Sequence, residues 1–86
     1  GFDFGPDGRL CGPLWFKHQV VCLDVDRGTL EVVADGFATP AAANFDPKGV
    51  LHAIDNETGE IFRIDPVAKT KTRIATAPTE ETGQTE

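Results

Sequence analysis

Hydrophobic and polar positions alternate in short runs along most of this chain, and clusters of Gly, Pro, Asp and Asn cut one run from the next. That is the period-two signature of half-buried β-strands separated by tight turns. The first run is Gly1 to Phe4, with Phe2 and Phe4 on one side of the strand and Asp3 on the other. Gly5-Pro6-Asp7-Gly8 reads as a turn, because Pro presets one backbone angle and Gly supplies the positive φ that closes the bend. Arg9 to Leu14 is a second strand, the chain reverses over Trp15 to His18, and Gln19 to Val25 is a third strand. After the turn at Asp26-Arg27-Gly28, Thr29 to Ala34 is a fourth. The order then starts again: strand Ala42 to Phe45, turn Asp46 to Gly49, strand Val50 to Asp55, reversal Asn56 to Gly59, strand Glu60 to Ile64, turn at Asp65-Pro66, strand Lys71 to Ala75. No segment carries a capped helical period. The prediction is all-β, eight short strands.

The second half repeats the first. Phe4, Pro6, Gly8 and Leu10 recur as Phe45, Pro47, Gly49 and Leu51, an offset of 41 residues (45 − 4). The offset holds without a gap through Asp24/Asp65, Thr29/Thr70 and Ala34/Ala75. An ungapped period of this length is what a four-stranded propeller blade leaves in a sequence. The expected organisation is therefore two antiparallel β-propeller blades: residues 1–40 as the first blade with its linker, 41–75 as the second, and 76–86 as a disordered acidic tail without large apolar residues.

These units, FGPDGRL with VVCLDVDRGTLEVVADG and then TPAAANFDPKGVLHAIDNETGEIFRIDP, resemble the senescence-marker-protein/gluconolactonase family and, more loosely, NHL-type repeats. The resemblance covers nearly the whole chain except its C-terminal tail. It implies a six-bladed propeller whose central channel holds one divalent cation, calcium or zinc, and a metal-dependent hydrolase of lactones or related esters. In the family, ligand side chains sit just ahead of a Gly at the start of the innermost strand. Here Ala41 and Ala42 occupy those two positions in the second unit, and the first unit's ligand position would precede Gly1. The resemblance therefore assigns no metal ligand and no catalytic residue to this chain. A hard cation needs several oxygens converging from different blades.

Composition narrows the partners. The chain has 86 residues, 8 basic and 14 acidic, for a formal net charge of −6. Nucleic acid and anionic membrane both call for a basic face, so neither is expected as a partner. No apolar run is long enough to span a bilayer, and no signal-peptide pattern is present. The native compartment is not legible. The chain opens on Gly and contains no Met, which reads as a piece of something longer or a processed product.

The candidate polar sites each admit two readings. Asp3 and Asn44 are equivalent by the repeat and face away from the Phe residues, as a polar rim on a channel or as local hydrogen-bond acceptors. Asp55 and Asn56 end a strand where propeller loops carry chemistry, and an Asp that starts a turn explains them equally. Asp24 and Asp65 each precede a turn and read as Asx-type caps. His18 and His52 do not align with each other, so no paired base is expected. Trp15, with Phe16, is either an apolar substrate wall or packing against a neighbouring blade. Cys11 and Cys22 lie directly opposite if the first reversal copies the second, and diagonal if it tightens at Lys17-His18. A disulfide is open only to the first arrangement; two small buried thiols are the favoured reading.

Two blades alone leave faces and edges bare. The expected partners are the remaining blades of a ring or further copies of this chain, three of which would complete six blades. A lactone is the small molecule that the resemblance implies. A non-catalytic propeller module that binds a partner or small ligand through its loops is the alternative function.

Overall fold

The computed structural model describes residues 1–78. Eight strands follow one another: β1 (Asp3–Phe4), β2 (Leu10–Leu14), β3 (Gln19–Asp24), β4 (Thr29–Ala34), β5 (Pro40–Phe45), β6 (Leu51–Asp55), β7 (Glu60–Asp65) and β8 (Thr70–Thr76). They form two four-stranded antiparallel sheets, β1-β2-β3-β4 and β5-β6-β7-β8, each in chain order. The strands match the predicted runs to within a residue or two, and Thr29–Ala34 agrees at both ends. Two boundaries differ. The reversal at residues 15–18 contains a single 3-10 turn, Trp15–Lys17. Thr76, expected in the tail, pairs with Glu60 as the last residue of β8; the tail from residue 79 on lies outside the described residues.

The two sheets share one register because their connections have equal lengths. Cys11 faces Cys22 across β2 and β3 as His52 faces Arg63 across β6 and β7. A left-handed residue closes the second connection in each sheet: His18 (φ 60°) in the first and Gly59 (φ 76°) at the equivalent place in the second. The third connection reverses the choice, with Gly28 (φ 69°) in the first sheet and Lys69 (φ 60°) in the second. Glycine adopts this conformation without steric cost, whereas His18 and Lys69 adopt it with their side chains engaged. The His18 imidazole meets the Ala38 carbonyl at 2.9 Å, and the Lys69 ammonium pairs with Glu31 at 2.9 Å.

The core lies between the sheets. The first contributes Cys11, Val20, Cys22, Val33 and Ala34; the second contributes Ala43, Leu51, Ala53, Phe62 and Ile64, with Phe37 of the connecting segment among them. The strand alternation puts each group on one face of its sheet. By the 41-residue offset the two groups are not equivalent: Cys11 and Cys22 correspond to His52 and Arg63, which point out of the core. The contact is therefore between opposite faces of two like units. At its margin the Phe45 ring lies so close over Gly5 that a Cβ there would overlap it.

Cys11 and Cys22, both 1% exposed, are joined by a disulfide with their Cα atoms 4.0 Å apart. The expectation of two reduced thiols is thereby corrected. Because the 15–18 connection copies the length of 56–59, the cysteines are placed directly opposite, and the tighter turn that would have set them diagonally does not form.

Candidate functional site

Three connections meet at one end of the two sheets, and Asp55 is at their centre. It ends β6 and is 1% exposed. One carboxylate oxygen accepts from the Ala38 N–H at 2.7 Å. The other accepts from Thr39 at 3.1 Å, Glu57 at 3.0 Å and Thr58 at 3.2 Å. The first two donors belong to the segment that carries the chain from β4 to β5, and the last two to Asp55's own turn. Asn56 adds a backbone donation to the Thr39 carbonyl at 2.8 Å, and the Thr39 hydroxyl donates to Glu57 at 2.9 Å. Burial alone would push the Asp55 carboxyl up; the four N–H donors, Ala38 foremost, outweigh it and hold the group below the ordinary Asp value. This carboxylate clamps the β4–β5 linker to the end of β6 with its oxygens occupied. It is not poised as a general base, which would need a free lone pair and a raised pKa.

The other candidates are placed as follows. Asp3 accepts from the Phe45 N–H at 2.9 Å, tying the first strand of one sheet to the first strand of the other. Asn44, its equivalent, is exposed on the outer face of the second sheet. Asp24 accepts from Asp26 and Arg27 N–H, both at 3.1 Å. Asp65 accepts from Val67 and Ala68 N–H, both at 3.0 Å; these are Asx-type turns. Trp15 and Phe16 stand out from the 3-10 turn at 64% and 59% exposure, their rings edge to face at 5.7 Å. They share the loop end with the Asp55 clamp, to which His18 connects through Ala38. Asn56 is exposed there too. His52 lies 3.9 Å from Asp46 on another part of the surface and does not join His18.

The opposite end carries a chain of charges that the sequence did not single out. Arg9 bonds Asp7 at 2.8 Å and Glu31 at 2.9 Å, and Glu31 also bonds Lys69 of the second sheet at 2.9 Å. The Arg9 N–H and guanidinium hold Asp7 below its usual range. The Lys69 ammonium, with Arg9 behind it, does the same for Glu31. In the neighbouring first turn of the second sheet, the Val50 N–H lowers Asp46. An open cleft of about 220 Å³ between the sheets is lined by Arg9, Cys11, Phe45 and Val67 among others, but Arg9 is already committed to its two carboxylates. Among the described residues no three His, Cys, Asp or Glu side chains converge as a metal site, and no helix is long and apolar enough to cross a membrane.

The sequence signal for most carboxylates was their position one residue ahead of a turn. Of the missed residues, Glu31 and Lys69 join the two sheets, Arg9 bridges Asp7 and Glu31 within the first, and Lys71 reaches the β4–β5 linker; the long-range contacts left no local signal. Comparison with protein-family models, curated proteins and solved structures finds no match to this chain.

Proposed function

We propose that this chain supplies two blades of a gluconolactonase-like β-propeller. In this reading the complete ring, six-bladed by that resemblance, hydrolyses lactones or related esters with a bound calcium or zinc ion. The two blades here furnish wall and inter-blade clamps, while the catalytic and metal-binding groups belong to other blades. Two meander sheets in one register, packed opposite face to face, support the blade reading. The observation that carries the division of labour is the state of the carboxylates. Asp3, Asp24, Asp55 and Asp65 each accept backbone N–H groups of turns or of the neighbouring sheet, so ligating a cation would cost those bonds.

The test is calorimetric titration of the folded chain with calcium and with zinc, alongside pH-stat assay of lactone opening. No saturable cation binding and no cation-dependent hydrolysis are expected from this chain alone. Calcium-dependent turnover by it would refute the reading.

A second reading, a non-catalytic module that binds a partner or small ligand through its loops, is favoured by the exposed Trp15–Phe16 pair. Trp15 is the sole tryptophan, so a saturable change in its emission on adding a lactone or sugar acid would report binding at that end. An unchanged emission would remove this reading for such ligands.

A further inference from the structure

The contact between the two sheets can be set against the faces that each sheet leaves outside. The second sheet meets the first through Ala43, Phe45, Leu51 and Ile64. The 41-residue offset maps these onto Phe2, Phe4, Leu10 and Leu23, which lie on the outer face of the first sheet. Ala43 is buried where Phe2 is 45% exposed, and Phe45 is half-buried where Phe4 is 61% exposed. Leu51 and Ile64 are buried where Leu10 and Leu23 are half-buried, and on that outer face the Phe2 ring already lies over Gly12, with Val21 buried. The equivalent positions are thus less covered in the first unit than in the second. The receiving surface behaves alike: Cys11, Val20, Cys22 and Val33 of the first sheet are buried under the second, and their equivalents His52, Ile61, Arg63 and Ile74 form the outer face of the second sheet. The chain thus ends in two unlike faces, one built as the donor of its own internal contact and the other in the place of the acceptor.

We infer that copies of this chain associate head to tail, the Phe2/Phe4/Leu10 face of one docking on the His52/Ile61/Ile74 face of the next. The interface is heterologous, so it closes only as a ring. Propellers run from four to eight blades, which allows two to four copies, and three for a six-bladed ring. One polar contact carries over: Asp3 accepts the Phe45 N–H inside the chain, and Asn44 stands in Asp3's place to accept the Phe4 N–H of the next copy through its amide oxygen. One position differs in bulk, Asp46 standing where Gly5 admits the Phe45 ring. The inference rests on the blade reading of the two sheets and not on the hydrolase reading. A ring closed by copies of this chain has no other blades to carry catalytic groups, so it goes with the non-catalytic module, whereas a monomer leaves these faces to the remaining blades of a longer ring. A monomeric chain would overturn the assembly and leave the calcium and lactone results standing.

The test is light scattering after size exclusion on the wild-type chain and two variants, with far-UV circular dichroism as the check of folding. Phe4→Glu spoils the donor face and Ile74→Glu the acceptor face, and both side chains are exposed, at 61% and 46%. The wild type is expected as one closed species of two to four copies, and each variant alone as a folded monomer. Mixed one to one, the variants retain one intact interface between them, and a 1:1 dimer is expected. A monomeric wild type, material of no fixed size, or variants that stay monomeric when mixed would overturn the proposal, leaving another occupant for these faces.

Discussion

Replacing Asp55 by Ala tests whether the clamp holds the β4–β5 linker on the end of β6. The substitution removes the acceptor of four backbone N–H groups. The Glu57 and Thr58 donors lie in an exposed turn where water replaces the lost bond, for about 0.5–1.5 kcal/mol each. The Ala38 and Thr39 donors are half-buried between linker and sheet, and leaving each unsatisfied costs about 1–3 kcal/mol. Because the bonds share one side chain they do not add fully, and a loss of about 3–5 kcal/mol is expected. That is a large share of the roughly 4–13 kcal/mol that a chain of this size commands. Asp65→Ala is the control, removing two N–H contacts local to one exposed turn, for about 1 kcal/mol. Urea unfolding followed by far-UV circular dichroism reads both, since Trp15 is too exposed to be a sensitive fluorescent probe. Acid adds a second readout. The folded-state pKa of Asp55 is depressed, so its contribution is full above the unfolded Asp value of about 3.9 and is lost as pH falls through the lower folded value. Asp55→Asn should flatten the acid limb of the stability profile, leaving the slope due to Asp7, Glu31 and Asp46. Equal losses in Asp55→Ala and Asp65→Ala, or an acid limb unchanged in Asp55→Asn, would refute the clamp.

Reduction followed by alkylation should add two labels to the protein, and alkylation without reduction none, because both thiols are in the Cys11–Cys22 bond. Replacing both by Ser is expected to cost about 2–3 kcal/mol, the loop-closure value for a separation of this order, read by the same urea titration. Lys71 donates to the Asp35 carbonyl at 2.6 Å and lies over the Phe37 and Phe62 rings at 4.2 and 4.7 Å. Lys71→Met keeps much of the apolar stem and should lose about 1–2 kcal/mol; no change in the urea midpoint would discount the cation–π contact. Glu31→Gln breaks the exposed link between Arg9 and Lys69, and its small effect should vanish in high salt. An effect that persists there would mean the contact is not chiefly ionic.

The sequence by itself determined the strands and their order, and offered their register by the repeat. Strand alternation is written residue by residue in the pleat, and an ungapped offset of 41 makes one unit predict the other's pairing. Copying the His52–Arg63 pair placed Cys11 opposite Cys22, with a tighter turn at Lys17-His18 as the alternative. The Asx turns at Asp24 and Asp65 were legible for the same reason, since their donors lie two and three residues ahead. What sequence left open was which turn closes the first reversal and whether the thiols are joined, because a shift of two residues keeps both cysteines on one face.

The tertiary structure alone decided the rest. Asp55 looked like another turn-starting Asp, and it is one toward Glu57 and Thr58. Its bonds to Ala38 and Thr39 span 17 and 16 residues and exist only because the linker folds back across the end of β6. Lys71 over Phe37 likewise reaches the linker, and Asp3 on Phe45 and Glu31 on Lys69 are contacts between the sheets. No local spacing encodes them: a side chain's direction follows from its own strand, but its partner depends on how the second sheet lies on the first.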